Sequence, residues 1–227
     1  MNDLPAKLRN LFFNTNNFFD TVKKEKAYFP ILLNFVIVYS VSAIVELLAS
    51  LPLIGKVPTA RSLLLISFLG VIFSIALSFV LPFIAAGLTH LGVLIVGGAQ
   101  GFFNTFKPIT YAMIISAIYN IISSVISFFL NTAYPISPSV LEQATFAFRD
   151  IPVQHTVAAI IIGLISLVHV IYAEITGISK FQKMSKMRAF VASVIIPLVM
   201  VIVAVLFIIA ILGALFGIGF MSMLGRI

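Results

Sequence analysis

The sequence predicts an all-α integral membrane protein: a bundle of five transmembrane helices with its N-terminus cytoplasmic, its C-terminus outside, and an N-terminal amphipathic helix. Three observations predict it. The 227-residue chain is 61% hydrophobic and carries only 14 basic and 7 acidic side chains, where a soluble domain is roughly one-quarter charged. Those charges avoid five runs, 27–45, 62–106, 108–141, 151–173 and 189–225, each long enough to cross about 30 Å of hydrocarbon. Lysine and arginine are also distributed unevenly about the runs. Such a chain cannot cover itself in water, which excludes a soluble enzyme, a free nucleic-acid binder and a disordered chain.

Residues 1–28 form the first segment. Leu4, Leu8, Leu11, Phe12, Phe18, Phe19 and Val22 recur at near-helical spacing with basic residues between them, the pattern of an interfacial amphipathic helix, interrupted at Asn14–Asn17. With this mixed segment ahead of a run long enough to stay in the bilayer, a cleaved signal peptide is not expected. The transmembrane domain occupies 29–220, with helices at 29–50, 62–98, 108–131, 154–178 and 189–220, and 221–227 is a short tail. The second run would rise about 55 Å as one helix, too long for an upright crossing. Pro82 divides it, so one long helix kinked or broken there is expected, with a re-entrant segment after Pro82 as the alternative. In the loop 132–153, Ser139 and Glu142 have capping-box spacing, which suggests a short helix at about 138–149.

Charge sets the orientation. The tail, the 99–107 loop and the 179–188 loop hold ten of the lysines and arginines; Lys56, Arg61, Arg149 and Arg226 fall on the other side. That places the N-terminus in the cytoplasm. The net charge of +7 reads as contact with lipid headgroups rather than nucleic acid, because the basic residues flank the spans. With no cysteine in the chain, disulfides, thiolate metal sites and cysteine catalysis are excluded.

Several polar residues lie within the spans. Ser116, Asn120, Ser123, Ser124, Ser127 and Asn131 share one helical face, which must look at other helices or at water. Tyr39, Ser42 and Glu46 lie on a comparable face of the first span, and Gly213 and Gly217 form a GxxxG, compatible with a homo-oligomer or with packing inside the chain. The ionisable groups Glu46, His90, His169 and Glu174 are functional candidates by default. His90 and His169 lie about 12–13 Å from the cytoplasmic end of their spans and could meet, and Glu174 is within reach of Lys180 or Lys183. His169 and Glu174 are five residues apart, so they do not share a face, and no third ligand is visible. No metal site and no cofactor is expected. No nucleophile–base set is readable, and Gly97-Gly98-Ala99-Gln100-Gly101 follows a membrane helix rather than a strand, so no nucleotide fingerprint is present.

His90-Leu91 followed by Gly97-Gly98, then Phe103-x-x-Phe106-Lys107-x-x-x-Tyr111-Ala112, resembles the central block of the Yip domain family, the five-span Ypt/Rab-interacting membrane proteins and their prokaryotic relatives. Glu174-x-x-Gly177-Ile178-Ser179-Lys180, with Lys186-x-Arg188-Ala189 opening the last span, resembles that family's fourth-to-fifth helix link, and Phe18-Phe19 and Pro30 its N-terminal entry. The resemblance covers about residues 12–210 and implies the fold, the topology and no catalytic reaction. Asparagines stand where the family tends to have a proline ahead of the Phe-Phe pair. The tail is also much shorter than in the eukaryotic trafficking members. The resemblance therefore implies a bacterial or archaeal plasma membrane, or an endomembrane in a eukaryote, with a small GTPase or another peripheral protein as the partner class.

The function expected is a non-enzymatic scaffold. Lys180, Lys183, Lys186 and Arg188, with Lys23 and Lys24, would form a cytoplasmic platform for a peripheral protein or anionic lipid. The alternative is a small channel or transporter using the polar intramembrane groove of Glu46, His90, Asn120, Ser124, His169 and Glu174.

Overall fold

A computed structural model describes residues 4–55, 60–134 and 152–224, with side chains as far as Leu212. Among the described residues, five helices are long and apolar enough to cross a membrane: Tyr28–Ile54, Arg61–Ser78, Phe103–Ala133, Val153–Phe181 and Lys186–Leu212. No strand occurs among the described residues. The expected helix at 138–149 lies outside the described residues, and so do the side-chain surroundings of Gly213 and Gly217.

Two short helices come first, α1 (Leu4–Phe13) and α2 (Thr15–Thr21), followed by a 3₁₀ turn at Val22–Lys24. The chain breaks at Asn14, inside the predicted interruption. Instead of covering only lipid, the apolar face packs into the bundle: Leu11, Phe18, Phe19 and Val22 are buried.

The first span is α3 (Tyr28–Ile54), with Pro30 in its first turn, where a missing N–H costs nothing. The predicted 62–98 element is two helices, α4 (Ala60–Ser78) and α5 (Leu81–Ile95), separated by Phe79 and Val80. Pro82 is the cause: lacking an N–H, it cannot bond the Ser78 carbonyl, and its ring crowds that position. Its place in the first turn of α5 is one that proline tolerates. At 15 residues, α5 rises about 22 Å, less than the hydrocarbon thickness.

The long helices α6 (Phe103–Ala133) and α7 (Val153–Phe181) follow. The last span opens as α8 (Lys186–Phe190), relaxes into a π turn at Val191–Ile195 and continues as α9 (Ile196–Leu224). Ser185 caps α8 by accepting the Arg188 N–H at 3.3 Å.

Side-chain contacts fix the packing. Tyr28 packs edge-on against Phe103 and Phe106, while Asn131 reaches the Ala49 carbonyl, so α3 and α6 run parallel. Tyr119 meets His169, and Gly177 lies against Pro108, so α7 runs antiparallel to α6. One end of the bundle, called here the near end, gathers α1, α2, the start of α6, the end of α7 and α5. Two glycines are required by close approach. A Cβ on Gly92 would strike the Ala192 carbonyl in the π turn, and one on Gly177 would strike Pro108 and the Phe19 ring. The turn from α5 to α6 also needs Gly97 and Gly101, whose φ angles are +86° and +82°.

Candidate functional site

The near end is held by one buried cation. Lys107, in the second turn of α6, is 1% exposed. Its Nζ donates to the carbonyls of Val22 at 3.0 Å and Glu25 at 2.7 Å. The rings of Phe103 and Phe181 lie 5.0 and 4.7 Å from it, so two carbonyl dipoles and two π faces replace its hydration shell. Those carbonyls end the 3₁₀ turn, and Lys107 thus acts as its C-terminal cap. The Glu25 carboxylate accepts from Lys7 Nζ at 2.6 Å and Tyr111 OH at 2.7 Å. Tyr111 in turn packs edge-on against Phe18 at 4.8 Å. Charge counting treats Lys107 as a membrane-flanking residue; in the fold it is interior. Its isolation between two uninterrupted apolar runs is the signal that marks it.

A second tie joins α7 to the turn before α6. Gln182, 3% exposed, donates Nε2 to the Gly101 carbonyl at 3.0 Å and to Thr105 Oγ1 at 2.9 Å. Its Oε1 accepts the Gln100 N–H at 3.0 Å.

The expected platform residues divide. Lys180 Nζ bonds Asp20 Oδ2 and the Asn16 carbonyl, each at 2.6 Å, and Lys23 pairs with the other Asp20 oxygen at 2.9 Å. Lys180 therefore turns to α2 and makes no ion pair with Glu174. Hydrogen bonds from Lys180, then Lys23, hold the Asp20 carboxyl below the usual carboxylate range. Lys24, Lys183, Lys186 and Arg188 stay exposed and make no ion pair among the described residues. Met187, between the last two, is 70% exposed. Asp20, by bridging Lys23 and Lys180, brings both basic stretches onto one surface.

The intramembrane candidates also separate. His90 Nδ1 is 2.9 Å from Thr105 Oγ1. His169 lies 3.2 Å from Tyr119 OH and 3.4 Å from Thr15 Oγ1, with the Phe12 ring against it at 4.9 Å. The two histidines serve different contacts and do not bond each other. Glu46, Asn120 and Ser124 do come together, lining one cleft of about 320 Å³ between α3 and α6 with Ser50, Ser123, Ser127 and Asn131. No group of three metal-ligating side chains occurs among the described residues.

In comparisons with known proteins, the family model described as Yip1 domain matches residues 9–209. No curated protein and no solved structure matches the chain.

Proposed function

The chain belongs to the Yip1 domain family, and from this and the charge at the near end we propose that it is a non-enzymatic membrane scaffold recruiting a peripheral protein or anionic lipid. The observation that carries the reading is the surface of Lys24, Lys183, Lys186 and Arg188, exposed and unpaired among the described residues. Near an anionic leaflet each such charge contributes about 1 kcal/mol, so four together give an attraction of roughly a thousandfold. The exposed Met187 adds an apolar anchor among them. The positive-inside rule puts this surface in the cytoplasm, with ten lysines and arginines on that side against four on the other. The membrane is the plasma membrane of a bacterium or archaeon, and the peripheral partner a small GTPase or another soluble protein.

Photo-crosslinking in native membranes from a probe at Lys183 tests this. A reproducible soluble adduct or anionic-lipid adduct, lost when Lys24→Gln/Lys186→Gln/Arg188→Gln is combined with the probe, is expected. Recruitment unchanged by that triple substitution would sink the scaffold. A second reading, a small channel or transporter, draws on the Glu46–Asn120–Ser124 cleft; pH-dependent solute flux in proteoliposomes would favour it.

A further inference from the structure

Away from the near end, polarity concentrates in three clefts that share walls. The cleft between α3 and α6 is joined to a second, between α3 and α4, through Glu46 and Ser50, and to a third, between α6 and α7, through Asn120 and Ser123. A polar lining thus runs across four helices, in the half of the bundle where Asn131 meets Ala49.

The hydrogen bonds of this lining are incomplete. Ser50 and Ser74 satisfy their hydroxyls on carbonyls of their own helices, at 2.7 and 2.9 Å. Asn120, Ser123, Ser124 and Ser127 make no side-chain hydrogen bond among the described residues, although Ser124 is only 8% exposed. Asn131 is 4% exposed and uses one amide hydrogen, on the Ala49 carbonyl at 3.5 Å. Hydrocarbon offers such groups nothing, and no described side chain satisfies them, so they are open to a polar ligand. Among the described residues the lining holds one charge, the Glu46 carboxylate, and no cation, so it favours a cationic group. Its free hydroxyls and amides are donors suited to phosphate oxygens. Apolar side chains stand in the same lining, Leu47 and Leu53 among them, and would meet acyl chains. A cation, a phosphate and an apolar tail together describe one class of molecule.

We propose that this cleft binds the headgroup of a primary-amine phospholipid in the leaflet far from α1 and α2, with Glu46 as counter-ion to the ammonium and Ser124, Ser127 and Asn120 donating to the phosphate. The site is independent of the scaffold reading, since it uses the opposite half of the bundle and the opposite charge.

Native mass spectrometry of the full-length protein, loaded with phosphatidylethanolamine, phosphatidylcholine or phosphatidylglycerol of matched chains, tests it. Wild type should retain the ethanolamine lipid about tenfold over the choline lipid, whose quaternary ammonium cannot donate a hydrogen bond. Glu46→Gln, which keeps the side-chain shape, should abolish that preference, while Ser124→Ala should lower both lipids together. Gel filtration and thermal melting confirm that each variant is folded. Equal retention of the two lipids by wild type, or a preference that survives Glu46→Gln, overturns the proposal. Displacement of the lipid by equimolar free phosphoethanolamine would assign the same chemistry to a soluble amine and overturn the lipid; failure of that displacement supports it.

Discussion

Lys107 shows how one side chain can decide a fold. A lysine at the foot of a membrane helix ordinarily extends to the headgroups, but this one is turned inward by carbonyls that only the preceding turn can present. Lys107→Met removes the ammonium from the Val22 and Glu25 carbonyls and should cost about 3 kcal/mol, measured by denaturant titration in detergent. Tyr111→Phe, which loses one bond to the Glu25 carboxylate, should cost less, about 2 kcal/mol. Equal stability of Lys107→Met and wild type would show the cation to be incidental. Thr176 gives the opposite case. Its buried hydroxyl has no hydrogen-bond partner among the described residues, so Thr176→Val should leave stability unchanged or raise it by about 1 kcal/mol. A loss in the same titration would reveal a bonded hydroxyl.

At the scale of elements, the question is what holds the α1–α2 pair on α6 and α7. Lipid tails are as apolar as phenylalanine, so burying Phe18 and Phe19 gains little beyond shape; packing and polar ties must decide. Shape depends on Gly177. Gly177→Ala places a methyl group against Pro108 and Phe19 and should cost about 1–3 kcal/mol, displacing α2. The polar tie is Asp20 with Lys180 and Lys23. Because the Asp20 carboxyl is held below its ordinary range, its stabilisation is complete above that range and is lost as pH falls through the depressed value. A spin label on Asn16→Cys should therefore stay immobilised at neutral pH and loosen only in strong acid. Adding Asp20→Asn or Lys180→Gln should loosen it at neutral pH, and a label immobile in all three would show the tie to be decorative. The α4–α5 break belongs to the same scale. It was legible as a proline in an overlong run, while its position at Phe79–Val80 follows from the carbonyl that Pro82 cannot bond.

For the whole molecule, charge and topology make one experiment. Since the chain has no cysteine, single substitutions report orientation without background. Lys183→Cys should be protected from a membrane-impermeant maleimide in intact cells, and Gly55→Cys, at the other end of α3, should be labelled. The reverse pattern would invert the topology and remove the cytoplasmic platform with it.

The sequence by itself determined the five spans, the break in the second and the gathering of basic residues into three segments. These depend on local hydropathy and on proline chemistry, which act within one or two helical turns. It also carried the family blocks, without saying why Lys107, Tyr111 and Gly177 belong to them. Only the tertiary structure decided which polar residues are partners. Lys107 bonds a carbonyl 85 residues away and Lys180 a carboxylate 160 residues away. Helical spacing could place Asn120 and Ser124 on one face, but not show that Glu46 closes the cleft opposite them, or that His90 and His169 stay apart. Inside a membrane every span is apolar enough to lie against any other. Their arrangement is set by a few glycine contacts and buried polar bonds, and those exist only once distant segments have met.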